Sequence, residues 1–244
     1  MAKRVLLGNL TPSSNTIVEP VVCAMLADLS EVSAHFSRFK VMQVSLDDTA
    51  LNRSMMDFEP ILESAQLLAD AQVDVIVWNG TSGGWMGLDV DQRLCASITA
   101  KTGIPATTSV LALKEIFLKT GVKKYGLVSP YLHEVQAKIV HNLNQEGFTC
   151  VAEQHLNDRG NFSYSEVSET TISRMVRQVA KANPDAITIL CTNVKGAPTV
   201  EPLESELNIP IYDSIATAVW KSLLIANVNP QRVQGWGHLF HEVR

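Results

Sequence analysis

Two segments of this chain share one pattern and are predicted to form equivalent strands. The first covers residues 73–82 and the second residues 184–193. Each is an apolar, β-branched run that ends in a small polar cluster, as a buried parallel strand does where it meets a loop. Gly80 occupies the position in the first segment that Cys191 occupies in the second. A repeated fold with a thiol in only one of two equivalent loops indicates a site that uses a single acid or base.

The repeat extends beyond these two segments. Strand-like runs alternate with amphipathic helical stretches, a pattern typical of α/β folds with parallel sheets. Residues 3–12 resemble residues 123–130, and residues 103–107 resemble residues 208–212. The offsets lie between about 105 and 120 residues, which suits a duplicated α/β half and is too long for a solenoid repeat. We therefore predict two pseudo-symmetric Rossmann-like (flavodoxin-like) halves with parallel sheets and a cleft between them.

The predicted elements divide the chain as follows. The N-terminal half comprises residues 1–112 plus 216–244, and the C-terminal half residues 113–215. The predicted strands cover residues 3–10, 39–44, 73–78, 104–107, 123–128, 149–155, 186–190 and 209–212. The predicted helices cover residues 14–29, 57–71, 89–102, 110–120, 132–145, 166–182, 200–207 and 215–226. The residues predicted to cap the helices that follow them are Ser13 or Ser14, Ser109 and Ser165.

Composition and charge restrict the class of protein. The chain has 244 residues, of which 46% are hydrophobic and 18% charged, so it can bury a sizeable core and lacks the signature of disorder. The net charge is −5 and no Lys/Arg-rich run occurs, so neither nucleic acid nor a membrane is an expected partner. No apolar run has the length of a signal peptide or a membrane span. The four cysteines show no metal or disulfide spacing, so we expect a reduced, soluble, cytoplasmic protein.

Four loops at predicted strand ends carry polar side chains. They cover residues 11–16, 79–84, 129–133 and 191–193. Because ligands bind beyond the carboxyl ends of parallel strands, these loops are the candidates for a site. The first precedes a helix whose free amides favour an anion, although a plain helix cap remains an alternative. The second has two hydroxyls among three glycines, which suits a carboxylate or phosphate, but it lacks the Lys-Ser/Thr of a P-loop.

The third and fourth loops offer a phenol and a thiol. Tyr131 is either a residue at the rim of the core or a hydroxyl that points into the cleft. Cys191 is either a small buried hydrophobic residue or a reactive thiol whose pKa is lowered by a following helix start. No His adjacent in sequence completes a Cys–His pair, so a papain-like nucleophile is not supported.

These motifs together resemble the aspartate/glutamate racemase superfamily. The resemblance rests on the doubled α/β plan, residues 12–16, residues 129–131 and the loop thiol Cys191. Within the superfamily the chain is most similar to the maleate isomerase and arylmalonate decarboxylase branch, and residues 235–240 resemble the end of the decarboxylases. Racemases and maleate isomerases of this superfamily carry two cysteines, one from each half. Gly80 stands in place of the first, which is the decarboxylase pattern.

The resemblance also assigns expected roles to residues. Cys191 is the expected catalytic residue. The expected substrate-binding residues are Pro12, Asn15, Gly80, Thr81, Ser82, Tyr131, Asn161 and Thr192. Asn15 and Asn161 resemble the residues with which maleate isomerases hold a substrate carboxylate. Cys191 is also followed by Thr192 and Asn193 where the decarboxylases have glycines, so the substrate is expected to be a polar diacid.

The function predicted from these residues is decarboxylation without a cofactor or a metal. The substrate class is malonate-type acids, aryl- or alkyl-substituted, with the enediolate held in an oxyanion pocket and protonated by Cys191. One alternative is a maleate cis–trans isomerase or an Asp/Glu-type racemase that acts on a dicarboxylate, with Thr81 or Ser82 covering for the missing thiol. Another is a non-catalytic carboxylate-binding protein. The substrate, the stereochemistry and the oligomeric state, a homo-oligomer included, stay open.

Overall fold

Two parallel β-sheets form the centre of the protein. The computed structural model describes residues 4–40 and 58–243. The first sheet has the strand order β2-β1-β3-β4 and the second β6-β5-β7-β8. The strands are β1 Val5–Pro12, β2 Val32–Phe39, β3 Val75–Trp78, β4 Ala106–Thr108, β5 Lys124–Ser129, β6 Thr149–His155, β7 Ala186–Ile189 and β8 Ile211–Asp213. All paired strands are parallel, which confirms the predicted α/β fold.

Helices make the crossovers that parallel strands require. They are α1 Val18–Met25, α2 Glu59–Asp70, α3 Gly83–Met86, α4 Leu88–Thr102, α5 Ser109–Thr120, α6 His133–Gln145, α7 Glu169–Ala180, α8 Val200–Leu207, α9 Ser214–Ile225 and α10 Leu239–Glu242. Short 3₁₀ turns cover Ser163–Glu166, Ala197–Thr199 and Pro230–Arg232. In α7 the buried residues recur at helical spacing (Ile172, Met175, Val176 and Val179), so one face packs on the sheet. Gly121 and Gly147 follow α5 and α6 with positive φ, a conformation that favours glycine at helix ends.

The two halves repeat one another at the level of single hydrogen bonds. The Asp74 carboxylate accepts from the Leu6 amide, 2.8 Å away, and the Asp185 carboxylate accepts from the Lys124 amide at the same distance. Gly80 is the second residue after β3, and Cys191 is the second residue after β7. The mismatch between glycine and cysteine therefore falls at structurally equivalent positions.

Helices are exchanged between the two sheets. Phe117 of α5 packs its ring against Tyr125, Phe148 and Tyr212 of the second half, with centroids 5.1–6.0 Å apart. Helix α9 packs against β3, β4 and α1 of the first half. The assignment of the C-terminal segment to the first half stays a prediction. The proposed boundaries after residues 112 and 215 fall inside α5 and α9, and the division stays a proposal.

The predicted strand over residues 39–44 lies mostly outside the described residues, and the sequence prediction missed the strand that ends at Phe39. The missed strand is β2, and the residues outside the described part are 41–44. Strand β2 lies at the edge of its sheet and pairs with β1 alone. It carries half-buried polar residues such as Ser33 and His35, which hide the apolar pattern that marks an inner strand.

The predicted helix caps are also corrected. Neither Ser13 nor Ser14 caps α1, because the Asn15 side chain accepts from the amides of residues 17 and 18, each at 2.9 Å. Thr108 instead of Ser109 caps α5. In the same way, α7 begins at residue 169 and is capped by the residue before it, while Ser165 lies in a 3₁₀ turn. In each case the cap lies one to three residues from the predicted one, since several hydroxyls compete locally.

Within residues 4–40 and 58–243, no helix combines the length and apolarity needed to cross a bilayer.

Candidate active site

Hydrogen bonds of Asn15 and Thr192 connect three of the four predicted loops. The Asn15 side-chain amide donates to the backbone oxygen of Thr192, at 3.1 Å, and to its hydroxyl, at 3.2 Å. The Thr192 hydroxyl donates in turn to the backbone oxygen of Asn79, at 2.9 Å. Asn15 follows β1, Asn79 follows β3 and Thr192 follows β7. The carboxyl ends of strands from both sheets therefore face one site.

Tyr131 joins the fourth loop to the same site. Its hydroxyl lies 2.5 Å from the Thr81 hydroxyl, and Tyr131 and Cys191 are close enough to shift each other's pKa. All three residues are buried. Burial raises the pKa of Tyr131 well above its ordinary value, so the phenol stays protonated. The structure thus places the Tyr131 hydroxyl between the donor loop and the thiol.

The Cys191 sulfur is held in its protonated form. The residue is 3% exposed, and burial raises the pKa of the thiol to about 12. Hydrogen bonds from Tyr131 and from the Asn193 amide, 3.4 Å from the sulfur, oppose this shift without cancelling it. The expectation that a helix start lowers this pKa is wrong, because the first helical turn after Cys191 begins only at Ala197. At neutral pH the group is a proton donor.

Gly80 leaves no room for a second thiol. A Cβ built on Gly80 would lie 2.6 Å from Cζ2 of Trp78, closer than carbon atoms approach in proteins. The Ser109 hydroxyl donates to the backbone oxygen of Gly80 at 2.6 Å and holds this segment in place. Since Trp78 is itself buried, its indole cannot move without disturbing the core. The loop equivalent to that of Cys191 therefore carries backbone and hydroxyls only.

Introducing the missing thiol is expected to cost stability. Gly80→Cys should lower the free energy of unfolding by about 1–3 kcal/mol, because overpacking displaces the buried indole. The measurement is chemical denaturation of the single variant, of Trp78→Leu and of the double variant. We expect the double variant to be more stable than the sum of the two single effects predicts. An unchanged stability in Gly80→Cys would show that the indole does not restrict this position.

The remaining predicted residues lie in the same loops. Ser82 is 4% exposed, and no hydrogen bond between described residues uses its hydroxyl. The Asn161 backbone oxygen accepts from the Asn193 side chain at 2.7 Å, so the loop after β6 also reaches the site. The backbone oxygen of Pro12 accepts a hydrogen bond from the backbone N–H of Asn15 at 2.9 Å, which shapes the first loop. Their roles toward a substrate stay predictions.

Two aromatic rings pack against Tyr131. Tyr131 packs edge-on against Trp85, with centroids 5.1 Å apart, and against Tyr164, 5.6 Å away. Burial and the nearby Cys191 raise the pKa of Tyr164, so it too is uncharged. The sequence prediction missed Tyr164, because it lies in an irregular segment without strand or helix periodicity. Among the described residues no group of three or more His, Cys, Asp or Glu side chains is arranged to hold a metal.

The fold and these loops define a class of α/β proteins in which loops from two parallel sheets meet at one buried polar site. Residues 15–240 match the arylmalonate decarboxylase family. The chain belongs to this family, which confirms the resemblance to the maleate isomerase and arylmalonate decarboxylase branch.

The chain is similar to relatives named maleate isomerase and to a relative named arylmalonate decarboxylase. A maleate isomerase of Geobacillus stearothermophilus is 25% identical over 242 residues, covering 93% of this chain and 94% of the relative. An arylmalonate decarboxylase of Bordetella bronchiseptica is 23% identical over 187 residues, covering 75% and 78%. The structure of a Nocardia farcinica maleate cis-trans isomerase variant with a covalently bound succinylcysteine intermediate superposes with a TM-score of 0.87 at 22% identity, covering 98% of this chain and 99% of that one.

Proposed function

We propose that this chain is a cofactor-independent enzyme of small dicarboxylates in which Cys191 is the acid. On the geometry, the favoured reaction is decarboxylation of a malonate-type acid. The observation that carries this proposal is the asymmetry of the site. One loop holds a protonated thiol, while the space at Gly80 in the other loop is filled by Trp78. Such a site can deliver a proton to one face of a planar intermediate and has no thiol to remove one from the other.

The proposed reaction follows from the groups present. Loss of CO₂ from a malonate dianion breaks a C–C bond and leaves an enediolate. Hydroxyls of Thr81, Ser82 and Tyr131 stabilise its two oxygens, and they do so better than water because they are already oriented. The Cys191 S–H then transfers its proton to the α-carbon, and the resulting thiolate takes a proton from water. The departing carboxylate leaves from the side lined by the rings of Trp85 and Tyr164, where it is poorly solvated.

The second candidate is cis–trans isomerisation of a maleate-type diacid. The relatives support it better than they support decarboxylation, because maleate isomerases of Geobacillus stearothermophilus and Nocardia farcinica match 93% and 97% of this chain, whereas the arylmalonate decarboxylase of Bordetella bronchiseptica matches 75%. Asn15 also favours a polar diacid, since its buried amide reaches the Cys191 loop. In this reaction the Cys191 thiolate adds to the double bond and leaves after rotation about the former double bond. The high pKa of Cys191 opposes that step, because the sulfur must first lose its proton.

A panel of substrates separates the candidates. The purified protein is offered substituted malonates, maleate and both enantiomers of aspartate, and the products are followed by NMR. Release of CO₂ with formation of the monoacid supports decarboxylation. Fumarate formed from maleate would identify the protein as an isomerase instead of a decarboxylase. Interconversion of the two aspartate enantiomers would identify it as a racemase. Saturable binding of an acid without turnover would instead identify a carboxylate-binding protein.

A further inference from the structure

Each half of the protein buries an aspartate whose carboxyl group packs against a glycine of a loop. Asp91 of α4 and Asp213 at the end of β8 are both 0% exposed. Among the described residues, one carboxylate oxygen of each has no hydrogen-bond partner. The Asp91 carboxyl packs against the Cα of Gly83, and the Asp213 carboxyl packs in the same way against Gly196. Burial raises the pKa of both groups to about 7. Both therefore gain their charge near neutral pH.

Asp213 lies beside the loop of the catalytic thiol. It pairs with Ile189 of β7, two residues before Cys191. One of its oxygens, Oδ1, accepts from the amides of Ile215 and Ala216, at 2.8 and 3.4 Å, and so caps α9. The other, Oδ2, has no such partner and would lie 2.5 Å from a Cβ built on Gly196, which belongs to the Cys191 loop. The carboxyl group thus does more than cap a helix.

The charge of each carboxyl acts on a different thiol. The Asp213 carboxylate raises the pKa of Cys191, and the Asp91 carboxylate raises the pKa of Cys95 on its own helix. Neither effect is the largest, since burial contributes more to both thiols. The Asp213–Cys191 pair and the Asp91–Cys95 pair share no residue, so the reactivity of each thiol can be measured as a readout of its own carboxyl group.

No other charged group in the described part of the chain is identified as acting on Cys191. Tyr131 and Tyr164 face the sulfur, but burial raises the pKa of both, and they are neutral. Glu204 of α8, the acidic side chain bound to β8, accepts from the amides of residues 211 and 238. Asp213 is therefore the group through which neutral pH changes the charge around the thiol.

We propose that Asp213 is a positioning residue whose carboxylate adds to the effect of burial in disfavouring ionisation of the Cys191 sulfur, so that the thiol serves as a proton donor and not as a nucleophile. This inference rests on the proposed function, in which Cys191 protonates an enediolate. The Asp213 carboxylate disfavours a second negative charge on the sulfur. It therefore also favours return of a proton from water after each transfer. When Asp213 is itself protonated, the effect disappears.

The test measures the reactivity of both thiols in the same protein. Asp213→Asn, Asp213→Ser, Asp91→Asn and the wild-type chain are treated with iodoacetamide, and the rates at Cys191 and Cys95 are read from their peptides by mass spectrometry. Asn and Ser both retain an acceptor for the helix cap. At about pH 8.5 we expect Cys191 to react roughly tenfold faster in the Asp213 variants, because its thiolate fraction rises. At about pH 5.5, where Asp213 is protonated, the rates should converge.

Cys95 provides the matched control. Its rate should stay unchanged in the Asp213 variants and rise in Asp91→Asn, whose Cys191 should react as in the wild type. Equal Cys191 rates in all variants would overturn the proposal and leave Asp213 as a helix cap. A rise of similar size at both pH values would also overturn it, because it would reflect access and not charge. The readout needs no turnover, so failure of the proposed reaction would be seen separately in the substrate panel.

Discussion

Cys191→Ala is expected to reduce turnover by roughly 10³-fold on any substrate that the panel identifies. The reason is that the site contains one acid, and alanine has no proton to give. The fold should persist, because alanine is apolar and smaller than the buried thiol. The measurement is kcat together with the melting temperature. The affinity for the substrate should remain, since the substitution leaves the hydroxyls of Thr81 and Ser82 and the Asn15 side-chain amide in place.

A second thiol serves as the control for this substitution. Cys95 is half-buried on α4, and its own position lies outside the four loops of the site. Cys95→Ala should therefore keep nearly the full wild-type kcat. Turnover that survives in Cys191→Ala would contradict an acid role for this thiol. A large loss in Cys95→Ala would show that the loss in Cys191→Ala reflects general damage.

Tyr131→Phe is expected to reduce kcat by roughly 10²-fold, the usual effect of removing one oriented donor from an oxyanion site. The hydroxyl joins Thr81 to the Cys191 sulfur, and its loss leaves both less well placed. The ring still packs between Trp85 and Tyr164, so stability should change little. The measurement is the separation of kcat from KM, because a group that acts in the transition state changes kcat more than KM.

Tyr164→Phe is the matched control. It removes the phenol hydroxyl from the neighbouring ring. Among the described residues this hydroxyl makes one hydrogen bond, to the backbone oxygen of Asp158, at 3.4 Å. We expect its kcat to fall by less than about tenfold, since this hydroxyl is not bonded to the thiol. If the two Phe variants lose equal activity, the rings act through packing and the donor role of Tyr131 is wrong.

The strands and the loops that they position follow from local patterns. The strand predicted over residues 186–190 corresponds to β7, which ends one residue earlier, at Ile189. The polar cluster that follows it lies in the site. The same reasoning found β3 and the loop of Gly80. Because the carboxyl ends of parallel strands share one edge, the side chains that follow them converge. The repeat therefore predicted both the sheets and the residues that meet between them.

Other features depend on contacts far apart in the chain. The edge strand β2 was missed, since its polar residues follow no apolar pattern. The indole of Trp78 fills the space at Gly80, and no sequence pattern reports which way a side chain turns. Asp213 lies between the predicted strand over residues 209–212 and the predicted helix over residues 215–226, and no sequence pattern relates it to Cys191. Its position beside the loop of Cys191 appears only when β7 and β8 pair.

The choice between the two reactions depends on side chains and not on the fold. Maleate isomerases and arylmalonate decarboxylases both superpose on this chain, with TM-scores of 0.87 and 0.79 for two of them. The fold therefore supports both activities equally well in principle. What distinguishes this site is a single protonated thiol opposite a glycine that is backed by an indole.

The most direct test of one-sided protonation is the reaction of a prochiral, disubstituted malonate in D₂O. The account predicts a monoacid that carries one deuteron at the α-carbon and forms as a single enantiomer. The product should not exchange its α-hydrogen when it is returned to the enzyme. A racemic deuterated product, or exchange into both enantiomers, would contradict a site with one acid.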